Sequence, residues 1–327
     1  MSSPLKAPLI ILTGPTAVGK TALSIQLAKA LDGEIISADS MQVYRHMDIG
    51  SAKITQEEME GVPHHLIDVL DPWEECSVVR FQEMAKEAIK GIRQRGHLPI
   101  VVGGTGFYIQ ALLYDIDFTE TDQDDSLRQE LEELAAREGA GRLHEMLAQI
   151  DPESADQIHE NNVKRVIRAI EYYRQTGEKI SLHNQRERQK TSPYDFLYYV
   201  LTMDRKLLYP RIDLRVDQML QQGLLEEVKA LKEMGCTADM VSMQGLGYKE
   251  MLAYLEGRLS YEEAVYILKR DTRHFAKRQL TWFKREREVR WLEALTKDED
   301  GSLLDHRQQL LTRILNDYRE METERSS

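Results

Sequence analysis

The hydrophobic residues near the start of the chain fall into two kinds of segment. Residues 8–13 and 99–102 are short, continuous apolar runs, as buried parallel strands are, and residues 33–39 form a similar run that ends in polar residues. Residues 20–31 and 78–95 instead place apolar side chains at the spacing of an amphipathic helix. Strands that alternate with helices in this way predict a parallel sheet with helices packed on its faces.

This alternation stops after residue 118. The stretch that follows is rich in aspartate and glutamate, and it has no strand pattern, so it predicts helices with solvated acidic faces. Strand character returns at residues 198–201. We therefore predict an all-helical insertion domain over residues 119–197, and a core formed by residues 1–118 and 198–327.

The remainder of the chain is predicted to be mostly helical. Glycines divide residues 211–291 into several helical segments, and the polar residues 297–327 predict a terminal helix with a frayed end. The predicted fold class is therefore α/β, with a parallel sheet flanked by helices and an all-helical insertion domain.

Composition excludes several classes of protein. The 327 residues carry a net charge of −12, which disfavours a nonspecific polyanion binder but leaves room for local basic patches. The cysteines, Cys76 and Cys236, are far apart and form no Cys/His cluster, so neither a structural zinc site nor a disulfide framework is expected. No apolar run has the length of a membrane span, and the start has no signal-peptide pattern. We expect a soluble, cytoplasmic protein with no membrane partner.

The turn after the first predicted strand matches the phosphate-binding pattern G-x-x-x-x-G-K-[ST]. Its residues are Gly14, Pro15, Thr16, Ala17, Val18, Gly19, Lys20 and Thr21. Glycines let backbone N–H groups converge on phosphate oxygens, and the following helix directs its positive end at the same anion. Lys20 adds a positive charge, and the hydroxyl of Thr21 is a ligand for Mg²⁺. A strand and a helix flank the motif, as a P-loop requires, which favours phosphate binding over a tight turn without a ligand.

The motif predicts a phosphate ligand without identifying it, so ATP, GTP and another diphosphate all remain open. The Asn-Lys-x-Asp pattern of guanine binding is missing from the sequence, which argues against a GTPase. Residues 100–102 are followed by Gly-Gly-Thr and not by the aspartate of a Walker-B strand, which argues against a motor ATPase.

Polar residues also follow two other predicted strands. Asp39 ends the second apolar run, and Thr105 comes shortly after residues 99–102. Because ligands of an open α/β sheet lie beyond the carboxyl ends of its strands, we expect both side chains to face the cavity of the phosphate loop. A carboxylate there can accept a proton or coordinate Mg²⁺ through water. The structural alternative is a helix cap or a turn for Asp39, and a hydroxyl that caps the next helix for Thr105.

Several segments resemble the tRNA dimethylallyltransferases, or tRNA isopentenyltransferases. The matching segments are residues 14–21, 37–53, 63–68 and 102–108, the pattern Asn162-x-x-Arg165-x-x-Arg168-Ala-x-Glu171, and residues 247–250 and 277–283. They span most of the chain, and together they are highly specific. The zinc-finger tail of the eukaryotic members has no counterpart, so the resemblance is to the bacterial form.

The resemblance implies a P-loop NTPase-like core and a defined reaction. A dimethylallyl group would pass from dimethylallyl diphosphate to N6 of adenosine 37, beside the anticodon of tRNAs that read codons starting with U. The products would be N6-(dimethylallyl)adenosine and diphosphate. The P-loop of this family holds the prenyl diphosphate rather than ATP, so the nucleotide-binding motif would not imply ATP as a substrate. Mg²⁺ is the implied cofactor.

The resemblance also implies roles on the leaving-group side of the site. Thr16 and Arg215 would contact the diphosphate beside Lys20, and Thr21 would hold the metal ion. Fixed positive charge there favours the transition state, because cleavage of the allylic C–O bond leaves negative charge on the oxygen. A surface salt bridge is the alternative for Arg215.

On the acceptor side, the reacting group is an exocyclic amine. Asp39 would accept a proton from N6 as the new C–N bond forms, and Thr105 would orient the same amine. The adenine must leave its stack to react, so it should be extruded into the site. The residues that would line the flipped nucleotide are Ser40, Met41 and Gln42.

Two basic segments are candidates for contacts to RNA. Residues 269–290 are rich in lysine and arginine and contain aromatic side chains, and residues 164–190 are also basic. Both fit the phosphates of a stem-loop, although a solvated helix face is the common alternative. The expected tRNA contacts are Asp39, Ser40, Met41, Gln42, Thr105, Arg165, Arg168, Lys277 and Arg278, with Arg128 as a weaker candidate.

Two other functions stay open at this point. A small-molecule kinase would use the same loop with ATP and use Asp39 as the base toward a hydroxyl group. An RNA-binding NTPase switch would bind RNA without group transfer. The expected partners are the tRNA anticodon stem-loop and dimethylallyl diphosphate. We expect a monomer, because one insertion can clamp one stem-loop.

Overall fold

The computed structural model describes residues 6–118, 125–298, 300 and 302–326. The chain forms two compact units. The first contains the described residues of Met1–Leu113 and Pro193–Ser327, and the second contains those of Tyr114–Ser192. The beginning of the predicted insertion, residues 119–124, lies outside the described residues.

The first unit is built on one sheet, whose strands in the described ranges run almost entirely parallel. The strands are β1 (Ala7–Thr13), β2 (Gly33–Ala38), β3 (His64–His65), β4 (Leu98–Gly103), β5 (Tyr194–Met203), β6 (Val289–Lys297) and β7 (Leu303–Asp305). Their order across the sheet is β3-β2-β4-β1-β5-β6-β7, and β7 pairs antiparallel with β6. The predicted α/β class, with a mostly parallel sheet flanked by helices, is confirmed.

The helices alternate with the first strands and then dominate the rest of the chain. They are α1 (Lys20–Ala30), α2 (Val78–Gln94), α3 (Gly106–Leu113), α4 (Asp125–Glu138), α5 (Ala140–Ile150), α6 (Pro152–Gln157), α7 (Val163–Thr176), α8 (Ile180–Gln189), α9 (Arg205–Gln221), α10 (Leu224–Glu233), α11 (Tyr248–Leu255), α12 (Tyr261–Phe283) and α13 (Arg307–Ser326). A short 3₁₀ helix, Ser242–Gln244, precedes α11. Across the described residues, no helix combines the length and the apolar character that a bilayer span needs.

The core of the first unit covers both faces of the sheet. Ile10 and Leu12 of β1 pack in one cluster with Leu23 and Leu27 of α1, and all four side chains are buried. The residues that alternate with them in β1 point to the opposite face and are also buried. A strand buried on both faces needs a continuous apolar run, which is the pattern that the sequence shows for β1.

The end of the chain corrects the predicted helices. The prediction of helical structure as far as residue 291 is wrong at its end, because β6 begins at Val289 and runs parallel to β5. In β6, Leu292 and Ala294 are buried while Trp291 and Glu293 are exposed. Because this alternation covers few residues and follows a highly charged segment, the sequence pattern favoured a helix over a strand here.

Strand β5 also begins earlier than the predicted residue 198. Its first residue, Tyr194, already pairs with β1, and Asp195 pairs with Pro8 in the same register. The carboxylate of Asp195 lies 3.4 Å from Arg325, which compensates its charge at a position that was predicted to belong to the all-helical insertion. The second unit accordingly ends at Ser192 and begins at Tyr114.

The second unit has a small core of its own. In its described part, helices α4, α5 and α7 contribute the buried side chains Leu131, Leu143, Leu147, Val166, Ile167 and Ile170. Asp151 is buried at the start of α6 and accepts hydrogen bonds from the N–H and hydroxyl groups of both Ser154 and Ser181. Through these bonds one carboxylate joins the N-terminal ends of α6 and α8.

An ion pair with a buried carboxylate ties β2 to the C-terminal end of α2. Glu34 is almost fully buried, and both of its carboxylate oxygens accept hydrogen bonds from the guanidinium of Arg95, at 2.9 and 2.6 Å. His65 of β3 lies 2.6 Å from the same carboxylate. The hydrogen bonds from Arg95 outweigh burial and lower the pKa of Glu34 to about 2.

Replacing Glu34 with glutamine is expected to lower the free energy of unfolding by about 1–2 kcal/mol at pH 7. The loss is modest because Arg95 is half exposed, so that solvent screens part of its attraction to Glu34. The difference from wild type should shrink as the pH falls toward 2, because the unfolded carboxylate takes up a proton first. Urea unfolding between pH 7 and pH 3 measures it. The control is Glu87→Gln, which removes an exposed ion pair with Lys90 on α2. A difference in unfolding free energy between Glu34→Gln and wild type that did not depend on pH would contradict the expectation.

Candidate active site

Three neighbouring strands end at the same edge of the sheet. Gly103, the last residue of β4, is in register with Thr13 at the end of β1 and with Ala38 at the end of β2. The hydroxyl of Thr13 donates a 2.7 Å hydrogen bond to the carbonyl of Gly103. The segments that follow these strands therefore start side by side, and they carry the phosphate-loop motif, Asp39 and Thr105.

The phosphate-loop motif forms the turn between β1 and α1. Ala17 has a φ of 63° and Gly19 a φ of 103°, so the backbone turns through left-handed conformations before α1 begins at Lys20. The ammonium of Lys20 folds back and donates hydrogen bonds of 2.9 Å to the carbonyls of Gly14 and Pro15. The turn thus has the strand–loop–helix geometry in which backbone N–H groups bind anions.

Lys20 shares its electrostatic environment with two of the predicted site residues. Burial and the positive charge of Arg215 lower the pKa of Lys20 to about 8, and the negative charge of Asp39 acts in the opposite direction. Arg215 lies on α9, and burial lowers its pKa while Asp39 raises it. The structure therefore brings the phosphate loop, Arg215 and Asp39 together, with two cations beside one carboxylate.

Asp39 and Thr105 are joined through the backbone between them. The carboxylate of Asp39 accepts a 2.9 Å hydrogen bond from the N–H of Met41, and the hydroxyl of Thr105 accepts one of 3.2 Å from the N–H of Ser40. The N–H of Thr105 in turn bonds to the carbonyl of Ala38, at 3.2 Å. These bonds hold the two candidate catalytic side chains on adjacent turns.

The segment after Asp39 is held in place by residues that the sequence analysis did not select. Glu227 of α10 accepts hydrogen bonds from three successive backbone N–H groups, of Asp48, Ile49 and Gly50, and a fourth from the hydroxyl of Tyr248. Backbone amides that point at one carboxylate form a strong, charge-assisted set. Tyr248 belongs to a segment recognised only as part of the family resemblance, and Glu227 belongs to no recognised motif.

The predicted nucleotide-lining residues lie within that anchored segment. Gln42 accepts a 3.2 Å hydrogen bond from the hydroxyl of Ser37, and Ser40 and Met41 are half-buried. The side chain of Met41 fills the space that a side chain at Gly245 would need, since a Cβ there would lie 2.4 Å from its terminal methyl group. These residues form a shaped wall beside Asp39.

The residues fit Mg²⁺ only together with a phosphate ligand. The side chain of Thr21 is exposed at the first turn of α1, where its hydroxyl is available as one ligand. Over the residues that the structure describes, no group of three or more His, Cys, Asp and Glu side chains forms a metal site. This agrees with the chemistry of Mg²⁺, which binds one or two protein oxygens, substrate phosphates and water.

Helix α12 has a buried face and a basic face. Ala276, Gln279 and Phe283 are buried, whereas Lys277 and Arg278 are exposed. A shallow groove on the exposed side is lined by His274, Lys277, Arg278, Thr281, Trp282 and Arg285. The structure thus presents the basic residues of this segment to solvent and directs one polar residue, Gln279, inward.

The arginines predicted to contact tRNA in the insertion belong to the second unit. Arg165 and Arg168 are exposed on α7, and the charges of Arg128 and Arg165 both act on Arg168. Arg128 forms two hydrogen bonds of 3.1 Å to the carboxylate of Glu171, which neutralises part of this cluster. Arg128 is therefore both an RNA candidate and a structural ion pair.

The family models that match this chain describe one activity. The model described as IPP transferase matches residues 42–286, and one described as isopentenyl transferase matches residues 7–69. A tRNA dimethylallyltransferase of Lachnoclostridium phytofermentans is 64% identical over 305 residues, which cover 93% of this chain and 97% of that protein.

Solved structures of similar proteins share the fold. A full-length tRNA isopentenylpyrophosphate transferase of Bacillus halodurans is 46% identical, with a TM-score of 0.72 and 98% of each chain covered. A eukaryotic dimethylallyltransferase described as acting on tRNA is 34% identical, with a TM-score of 0.75, over 88% of this chain and 74% of that one.

Proposed function

This chain belongs to the IPP transferase family, and on that basis we propose that it transfers a dimethylallyl group from dimethylallyl diphosphate to N6 of adenosine 37 in tRNAs that read codons starting with U. The products are N6-(dimethylallyl)adenosine and diphosphate. The observation that carries the proposal is that an anion-binding loop, with the half-buried Lys20, and the segment that begins with Asp39 follow strands that end at the same edge of the sheet.

The leaving group of this reaction is a diphosphate, which needs hydrogen-bond donors and positive charge around it. In the loop of residues 14–20, the backbone N–H groups of residues 17–20 would surround the phosphates and the hydroxyl of Thr16 would add a contact, while Lys20 and Arg215 would face the oxygen on which charge develops. The positive end of α1 acts in the same direction. We propose that the P-loop motif of this chain binds the prenyl diphosphate rather than ATP.

We propose that Mg²⁺ accompanies the diphosphate. The hydroxyl of Thr21 would hold the ion together with phosphate oxygens, and the bound ion would supply further positive charge to the leaving group.

The acceptor amine needs a proton acceptor, because the lone pair of adenine N6 is delocalised into the ring. Asp39 is the carboxylate next to the diphosphate loop. The hydroxyl of Thr105 accepts a hydrogen bond from the backbone N–H of Ser40, the residue that follows Asp39. We propose that Asp39 takes the proton from N6 while the new C–N bond forms, and that Thr105 orients the amine. Ser40, Met41 and Gln42 would line the extruded adenosine.

A transfer assay without ATP tests this proposal. Unmodified tRNA that reads a codon starting with U is incubated with the protein, Mg²⁺ and labelled dimethylallyl diphosphate. Label is expected at adenosine 37, and a tRNA with guanosine at that position is the control. Transfer that requires ATP, or phosphate transfer from ATP to a small molecule, would favour the kinase instead. The relatives described above give that alternative no support.

We propose that the basic residues of α12 and α7 bind the phosphates of the anticodon stem-loop. The candidates are Lys277, Arg278, Arg165 and Arg168, with Arg128 as a further contact despite its pairing with Glu171. All five side chains are exposed at their described positions, and RNA binding through phosphates needs such accessible charges.

The double change Lys277→Ala and Arg278→Ala is expected to raise the Kd for tRNA about tenfold. The slope of log Kd against log salt should fall by about 2, because two phosphate contacts are lost. Filter binding at several salt concentrations measures both. Lys90→Ala on α2 is the control, because this exposed lysine lines a groove with Tyr194 at the start of β5, the edge of the sheet opposite to the candidate site. An unchanged slope would show that these residues make no phosphate contact.

We also propose that the protein is a monomer of the cytoplasm. Cys76 and Cys236 are free thiols, the state that a reducing compartment maintains. Light scattering after size exclusion should then give a mass near 37.8 kDa, and twice that value would indicate a dimer.

A further inference from the structure

Gln279 connects the two halves of the candidate site through one side-chain amide. Its Oε1 accepts a 3.1 Å hydrogen bond from the N–H of Thr16 in the phosphate loop. Its Nε2 donates a 3.0 Å hydrogen bond to the carbonyl of Gly104, the residue before Thr105. Gln279 lies on α12 and is only 6% exposed.

The two backbone partners require an amide between them. One partner is an N–H group, which needs an acceptor, and the other is a carbonyl, which needs a donor. A carboxylate would satisfy Thr16 but would repel the carbonyl of Gly104, and an apolar side chain would leave both groups buried without these bonds. Gly104 also leaves room for the amide, because a Cβ there would lie 2.2 Å from Nε2.

The contacts continue from this amide to the acceptor side. Thr105 follows Gly104 directly, and its hydroxyl accepts the hydrogen bond from Ser40, next to Asp39. A displacement of the Gly104 turn would therefore move Thr105 and the backbone that holds Asp39. A displacement of the Thr16 amide would move the loop that surrounds the diphosphate.

We propose that Gln279 is a positioning residue that sets the spacing between the diphosphate loop and the turn that presents Thr105. The inference rests on the proposed transfer reaction, since alignment of the allylic carbon with N6 matters only if a group passes between them. Reactions of two bound substrates are sensitive to such spacing, and a displacement of about 1 Å can cost about a hundredfold in rate. Both hydrogen bonds of the Gln279 amide are to backbone groups, so it acts through the backbone.

The main test replaces Gln279 with methionine, which has a similar length but no amide. We expect kcat for dimethylallyl transfer to fall about 30-fold at saturating substrates, with the KM for tRNA changed less than about threefold. The matched control is Gln82→Met on α2. Gln82 is also 6% exposed and also bonds to a backbone carbonyl, that of Ala111, at 2.8 Å. Its loss should lower Tm by a similar amount and leave kcat within about threefold.

Gln279→Glu supplies a second, independent measurement. A protonated carboxyl group has one donor and one acceptor, as the amide does, whereas the ionised group has acceptors only. The ratio of its kcat to that of wild type should therefore rise as the pH falls from 8 to 6. The same ratio for Gln279→Met should stay constant. A purely structural role would not produce this difference between the two variants.

The outcomes separate this inference from the proposed function. If wild type shows no transfer, the proposed function fails. If wild type is active, the positioning role is overturned by a kcat of Gln279→Met within threefold of wild type, or by equal losses of kcat in Gln279→Met and Gln82→Met. Should the methionine variant not fold, a pH-independent ratio for Gln279→Glu overturns it.

Discussion

Asp39→Asn is expected to lower kcat for dimethylallyl transfer about 10³-fold while the Kd for tRNA changes less than about twofold. A general base contributes about 10²- to 10⁴-fold, and the amide of asparagine cannot take the proton from N6. Asparagine has the same size, and its carbonyl oxygen can still accept the hydrogen bond from the N–H of Met41, so the turn should be preserved. Single-turnover transfer and filter binding measure the two quantities.

The control for this change lies in the same segment. Asp48 is an exposed carboxylate that pairs with Lys53 at 2.6 Å, and Asp48→Asn should leave kcat within about twofold of wild type. If Asp39→Asn keeps kcat within threefold, Asp39 is not the proton acceptor. If it instead weakens tRNA binding tenfold at an unchanged kcat, its contribution is to nucleotide binding.

Lys20→Met should lower kcat/KM for dimethylallyl diphosphate about 10³-fold. Removal of one donor from a charge-stabilising site costs about 10²- to 10³-fold, and Lys20 adds a full charge at a half-buried position. Initial rates at varied dimethylallyl diphosphate measure the loss. Lys29→Met, at the exposed end of the same helix α1, where Lys29 pairs with Glu60, is the control and should stay within about twofold.

The pH profile distinguishes charge from shape at this position. The lowered pKa of Lys20, about 8, means that the free enzyme loses the ammonium as the pH rises through 8. The kcat/KM for dimethylallyl diphosphate should therefore decline above that pH. Lys20→Arg keeps its charge at every pH tested, so its lower kcat/KM should show no such decline. An identical decline in Lys20→Arg would assign the titration to another group.

Both predictions use one electrostatic arrangement. Lys20 and Arg215 are two cations beside Asp39, and the negative charge of Asp39 opposes the lowering of both of their pKa values. A bound diphosphate would compensate the two cations, and Asp39 would then face a site whose positive charge is largely neutralised.

The local pattern of the sequence determined the positions of the phosphate loop, Asp39 and Thr105. Apolar runs mark where buried strands end, and parallel strands end at one edge of a sheet, so the polar residues after them come together without knowledge of strand order. The P-loop motif is likewise local, because its chemistry depends on the backbone of consecutive residues.

The same sequence pattern gave a wrong prediction where a charged run and a half-buried strand lie next to each other. At Val289–Trp291 the charged run before the strand extended a helical pattern into β6, a strand that is buried only at alternate positions. Two short strands were not predicted, for a different reason. β3 and β7 have too few residues to show any period, so only their pairing with a neighbour identifies them.

Only the tertiary structure decided which distant residues hold the site together. Gln279 meets Thr16 across 263 positions of sequence, and Glu227 meets Gly50 across 177. A glutamine among the buried positions of a basic helix indicates a hydrogen-bonded role, but its partners lie on loops whose placement depends on strand order and helix packing. Sequence periodicity determines which face of an element is buried, whereas packing of the whole unit determines what that face touches.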